Sequence, residues 1–108
     1  DLCILVDNGS SSAASTLMLR RIAAQLSRRL AVNVVPCSLA HADRAPASGL
    51  EGEPANLFKP TVLAAVREGG ASSVVVLPLF LAPVHAVMRT IPEFLESVTE
   101  ESLCRYAV

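Results

Sequence analysis

Residues 2–19, "LCILVDNGSSSAASTLML", decide how this chain folds. Leu2 to Val6 is a short, unbroken apolar run rich in β-formers, which fits a central strand buried on both faces. It stops on Asp7, Asn8 and Gly9 and gives way to Ser10, Ser11 and Ser12. Beyond that corner Met18, Ile22, Leu26 and Leu30 recur at helical spacing with Leu19 and Ala23 beside them, so an amphipathic helix is predicted over Ala13 to Leu30. Arg20, Arg21, Arg28 and Arg29 lie elsewhere on its circumference and are read as a solvated face.

The alternation continues outward from there. "AVNVVPCSL" (31–39) reads as a second strand, and "VLAAVREGG" (62–70) as a helix started by Pro60 and ended by Gly69 or Gly70. "SSVVVLPLF" (72–80) is a third strand. "TIPEFLESV" (90–98) opens a third helix through a Thr90/Glu93 capping box with Pro92 in its first turn, and "SLCRYAV" (102–108) supplies a fourth strand. Strands alternating with helices favour right-handed crossovers. The expected fold is a three-layer α/β/α domain on a four-stranded parallel sheet.

Composition limits what such a domain can do. At 108 residues with no second apolar core, the whole of 1–108 is expected to be one domain. Its 52% hydrophobic and 4% aromatic content suits a buried parallel sheet. A formal net charge of −1, with no basic run carrying interleaved aromatics, argues against nucleic acid as a partner. The longest apolar stretches, "SSVVVLPLFLAPV" (72–84) among them, contain prolines and fall short of the roughly 18–20 residues that cross a membrane. Asp1 stands where a signal peptide would carry basic residues. Cys3, Cys37 and Cys104 form no Cys-x-x-Cys pair and sit in or beside apolar runs, so reduced, buried thiols and a cytoplasmic location are expected.

Ligands of open parallel sheets bind beyond the carboxyl ends of the strands. That rim holds Asp7 to Ser12, His41 and Asp43, and Ala82 to Thr90. Residues 40–59 lack periodicity, and "RAPASGLEGEP" (44–54) has the composition of a flexible loop, so this span reads as a lid or a mobile excursion. "DNGSSS" (7–12) has two readings. Exposed amides, the helix dipole and the hydroxyls of Ser10, Ser11 and Ser12 would suit an anion, as in a phosphate or flavin site. A turn glycine followed by a serine N-cap accounts for the same residues, and the spacing matches neither nucleotide-loop motif. His41 and His85 are the two histidines. They could hold a divalent metal with Asp43 or Asp7, or be solvated loop residues. Asp7 reads either as a brace for the amides of its own turn or as a catalytic carboxylate. Arg89 lies where an anionic ligand could reach it. Met18 and Met88 read as packing residues.

Together, "ILVDNGSSSAASTLML", "GGASSVVVLPLFLAP" and "TIPEFL" resemble the short chelatases of the CbiX and SirB type, which insert cobalt or iron into sirohydrochlorin. The resemblance covers most of the chain. It implies a chelatase or flavodoxin-like fold, a homodimer around one cleft, a tetrapyrrole ligand, and a divalent metal as substrate with no further cofactor. The family continues past the position of "CRYAV" into a further helix, which lies outside this chain. In the family a histidine precedes the Gly-Ser turn, where this chain has Asn8, and a second follows strand three. Gapless counting from Ile91-Pro92 back to Pro83 puts Ala86 at the second histidine, His85 at the preceding arginine and Thr90 at an aspartate. One deletion at Val84 with a compensating insertion would make His85 the ligand. Ala40 is nearest to a family glutamate. The resemblance thus implies a site of His85 and Asn8, with Gly9, Ser10, Ser11, Pro83 and Arg89 on the ligand, and the reading of the rim adds His41 and Asp43 as further metal donors. An amide has no titratable lone pair near neutral pH and ligates metal weakly. The domain is therefore expected to be weakened or inactive in metal insertion, or to serve as a noncatalytic tetrapyrrole, metal or partner module.

Overall fold

The computed structural model describes residues 1–80, 89–102 and 104–108. In chain order these form β1 (Leu2–Asp7), α1 (Ala13–Leu30), β2 (Val34–Ser38), α2 (Phe58–Leu63), β3 (Ser73–Pro78), α3 (Ile91–Ser102) and β4 (Arg105–Ala107). The strands make one parallel sheet in the order β2-β1-β3-β4. β1 is interior because its side chains are apolar on both faces. Ile4 and Val6 join a core with Phe58, Val62, Ile91 and Leu95 from α2 and α3, while Leu5 joins Leu19 and Ala23 of α1. Each fully buried aliphatic side chain contributes about 1.5–3 kcal/mol, so moving β1 to an edge would forfeit part of both cores. The predicted three-layer α/β/α domain with a parallel sheet is the one observed.

Helix α1 spans the predicted residues. Its last turn is tied to the next strand through Ser27, whose Oγ donates to Ala23 O (2.8 Å) and accepts from Val34 N–H (2.9 Å). Helix α2 starts earlier than Pro60, at Phe58, whose ring is 1% exposed and anchors the helix to the core. Pro60 still falls within the first turn, where its missing N–H would be unpaired in any case. The helix then widens into a π-type turn over Ala64–Glu68, closed by Gly69 N–H on Ala64 O at 2.9 Å. The Thr90/Glu93 capping box does not form as expected. Arg89 and Thr90 are already wound helically, and the Glu93 carboxylate accepts from Arg89 Nε at 3.2 Å.

Residues 40–59 pack against the domain instead of forming a loose excursion. Short 3₁₀ turns at Ala42–Arg44 and Ala47–Leu50 bury Ala42, Ala45 and Leu50. Arg20, expected on a solvated face, holds this span to α1 by donating to Leu50 O (2.9 Å) and Glu53 O (2.7 Å). The chain then runs along the outer edge of β2, where Ser38 N–H donates to Asn56 O (3.0 Å) and Asn56 Nδ2 to Pro36 O (3.3 Å). That covers an edge otherwise open to another strand, and an edge is where Pro36 costs no interior ladder bond. On the α1 face the outer half of the sheet stays open, with Val75 39% and Leu79 43% exposed.

Two charge-assisted bonds from one guanidinium make Arg20 the main clasp on the 47–53 segment. Arg20→Ala should lower stability by about 1–2 kcal/mol and speed hydrogen exchange selectively at the Gly49, Gly52 and Glu53 amides. Unchanged exchange there would show that burial of Leu50 alone holds the segment.

Candidate functional site

Strand pairing does not stop where the strands end. Leu79 N–H donates to Val6 O (2.8 Å), Leu39 N–H to Asp7 O (3.0 Å) and Ala40 N–H to Asn8 O (3.2 Å). The exits of all three strands are thereby held against the first rim corner. Gly9 sits at φ +94°, and a Cβ built on it would lie 1.8 Å from Ala40 O. Only glycine permits that approach. Ser10 Oγ accepts from Ser12 N–H at 3.0 Å, closing a serine turn. Ser12 occupies the N-cap of α1 but makes no capping bond through its side chain, and no acidic residue falls in the first helical turn. Ser11 is exposed beside them. The turn reading of "DNGSSS" thus accounts for Gly9 and Ser10, although through Ser10 rather than a serine N-cap.

From β1 the chain crosses to β2 on one side, and from β3 it crosses to β4 on the other, so the gap between the exits of β1 and β3 is the topological switch point of this sheet. A cleft of about 390 Å³ opens there, lined by Asp7, Ala14, Ser15, Met18, Leu19, Ile22 and Leu79. Met18, expected as a packing residue, is 53% exposed on its wall. Asp7 is its one carboxylate among the described residues. Asp7 Oδ1 accepts from Ser38 Oγ at 2.6 Å, a bond across the β1–β2 register rather than a brace on its own turn amides. Ser38 is 2% exposed. Sequence reading missed this residue, because a strand-end serine opposite an aspartate shows only once the register pairs Asp7 with Ser38.

Next to Ser38, Cys37 is buried as expected, and all three cysteines are free. Burial pushes the Cys37 thiol up to about 11 from 9.0; a hydrogen bond with the Thr61 side chain works the other way, and the Asp7 carboxylate adds to the rise.

The remaining predicted residues do not gather at the cleft. His41 is exposed, adopts φ +69° and heads a 3₁₀ turn. Asp43 opens onto a different shallow cleft, with Asn56, Leu57, Pro60 and Thr61. No group of three His, Cys, Asp or Glu side chains that could hold a metal ion occurs among the described residues. Arg89 is 67% exposed and paired to Glu93. Asn8 is exposed at the corner, with its carbonyl on Ala40 N–H. Pro83, His85 and Ala86 lie outside the described residues.

An open parallel sheet with an apolar cleft and a carboxylate at its switch point defines an open-sheet α/β domain. The comparisons place it further: the CbiX family model matches residues 2–106, and the chain belongs to the CbiX family, chelatase-like domains of tetrapyrrole biosynthesis. Among solved structures it resembles the crystal structure of a protein assigned by name to cobalamin (vitamin B12) biosynthesis, a CbiX protein from Marinobacter aquaeolei VT8. The two share 21% identity and a TM-score of 0.65 over 99% of this chain and 79% of that one, a likeness of fold. No curated protein matches the sequence. No described helix is long and apolar enough to cross a membrane.

Two consequences are measurable. Gly9→Ala forces either the corner or Ala40 to move and should cost more than about 3 kcal/mol, a loss beyond the usual range for one substitution, read as a lowered urea midpoint. Between the unfolded pKa of 9.0 and the folded value of about 11, the native state keeps a proton at Cys37 that the unfolded chain releases. Stability should therefore fall as pH rises through that window, by about 2–3 kcal/mol in full. Cys37→Ala should flatten that part of the pH profile; an unaltered slope would exclude the thiol as its source.

Proposed function

We propose that this chain is a tetrapyrrole-binding domain, a homodimer of single 1–108 units in the cytoplasm, in which metal insertion is weakened or lost. The observation that carries the proposal is Asn8 at the exit of β1, held against Ala40 by the Ala40 N–H to Asn8 O bond. By resemblance the first of these positions holds an imidazole and the second lies nearest a glutamate. Here the side chains at these two positions are an amide and a methyl group instead. A tetrapyrrole loses two pyrrole protons as a divalent metal enters, so insertion needs groups that coordinate the cation and accept protons near pH 7, which neutral histidine does. Asn8 offers an uncharged carbonyl oxygen, suited to orienting a ligand and poor at both tasks. His85 is the remaining candidate base in this proposal, with Gly9, Ser10 and Ser11 shaping the corner and Pro83 and Arg89 on the ligand. The exposed Arg89 guanidinium supports that last role, since a surface pair with Glu93 is worth no more than about 1 kcal/mol and yields to a stronger anion. Val75, apolar and exposed on the open face of the sheet, supports a contact with a second copy.

Sirohydrochlorin should change its absorbance on binding the wild-type chain and convert little when Co(II) or Fe(II) is added. Asn8→His should raise the rate of metal insertion by about 10²-fold, the lower end of what a positioned base contributes. Rapid wild-type turnover that Asn8→His leaves unchanged would overturn the weakened-site reading, and sedimentation at the mass of one 11.4 kDa chain would overturn the dimer.

A further inference from the structure

We infer that Asp7 is the group through which the switch-point cleft reads its ligand: its carboxylate accepts a hydrogen bond from a pyrrole N–H, so that the cleft selects the metal-free macrocycle over its metal complex. This rests on the tetrapyrrole reading and assigns it a specificity residue.

The cleft walls are mainly apolar, with Ile22, exposed Met18 and exposed Leu79, and among the described residues Asp7 is the one carboxylate, with Ser15 as a second polar side chain. Such a surface accommodates the flat face of a large ring and leaves few polar contacts within the cleft to set orientation. The carboxylate is fixed before any ligand arrives. Ser38 Oγ donates to Oδ1 at 2.6 Å from a buried position, and the backbone carbonyl of Asp7 is held from the same strand exit by Leu39 N–H. Oδ2 has no partner among the described residues. A carboxylate oxygen accepts hydrogen bonds, so its complement is a ligand that offers an N–H donor on an otherwise apolar ring face. A metal-free tetrapyrrole presents such donors at its centre. Its complex with a divalent metal has given up both protons and presents none. A cation in the cleft would meet one half-engaged carboxylate and the serine hydroxyl, with no group of three His, Cys, Asp or Glu side chains among the described residues, which is a poor metal site.

The test is an equilibrium titration of the wild-type chain with sirohydrochlorin and, separately, with its cobalt complex. Binding of the metal-free form at least tenfold tighter is expected. Asp7→Asn keeps a carbonyl oxygen for Ser38 and replaces Oδ2 with an amide donor, so it should weaken the metal-free form about tenfold and leave the complex nearly unchanged. Leu79→Asp, which puts a charge on the apolar wall, should weaken both alike. Equal affinities in the wild type, tighter binding of the complex through carboxylate-to-cobalt coordination, or an equal loss of both ligands in Asp7→Asn would each overturn the role of Asp7 while leaving the tetrapyrrole reading intact. Failure of the wild type to bind either form would overturn both. If Asp7→Asn does not fold, the wild-type preference decides alone.

Discussion

The structure depends on β1 being paired on both sides, and on that pairing running past the strand ends. Parallel ladders hold Cys3 to Asp7 against β2 and Leu2 to Val6 against β3. Three further amide bonds, from Leu39, Ala40 and Leu79, then fix the carbonyls of Asp7, Asn8 and Val6. The rim corner is thus an extension of the sheet. A loop would wander by more than hydrogen-bond tolerance, whereas a corner bonded to both neighbouring strands holds its side chains in place without a ligand.

That rigidity bears on what the domain can do. In an open parallel sheet, changes of chemistry come from the residues leaving the strands, because the interior is committed to packing. Here the interior is two apolar clusters, one on each face of the sheet. The described rim combines an amide at Asn8, the Ala40 backbone and a carboxylate clamped by a buried serine. Such a set orients a ligand through hydrogen bonds more readily than it strips protons from it. Scaffold and chemistry are separable for this physical reason: the sheet does not sense whether residue 8 titrates.

Most of the fold was legible in the sequence because apolar periodicity reports burial directly. Helix α1 has the predicted bounds, and Leu2–Val6 reads as a two-faced strand because its apolar run is continuous. Misreadings arose where a local signal met a tertiary demand. Pro60 suggested a helix start, but burying Phe58 pulled the start two residues earlier. Thr90 and Glu93 had capping-box spacing, but Arg89 took the carboxylate. "RAPASGLEGEP" had the composition of a free loop, yet Arg20, thirty positions from Leu50, tied it down. The site divided similarly: Gly9 was visible as a turn residue, Ser38 was not, and Met18 was taken for core.

The sequence by itself determined the strand and helix order and the two-faced burial of β1, because these follow from side-chain chemistry and spacing along the chain. Only the tertiary structure decided which strands adjoin, that Ser38 grips Asp7, that Ala40 presses on Gly9, and that the open cleft lies between α1 and the exit of β3. Those are contacts between residues thirty or more positions apart, set by sheet register and helix crossover, and no local pattern encodes which distant partner a carboxylate or carbonyl will meet.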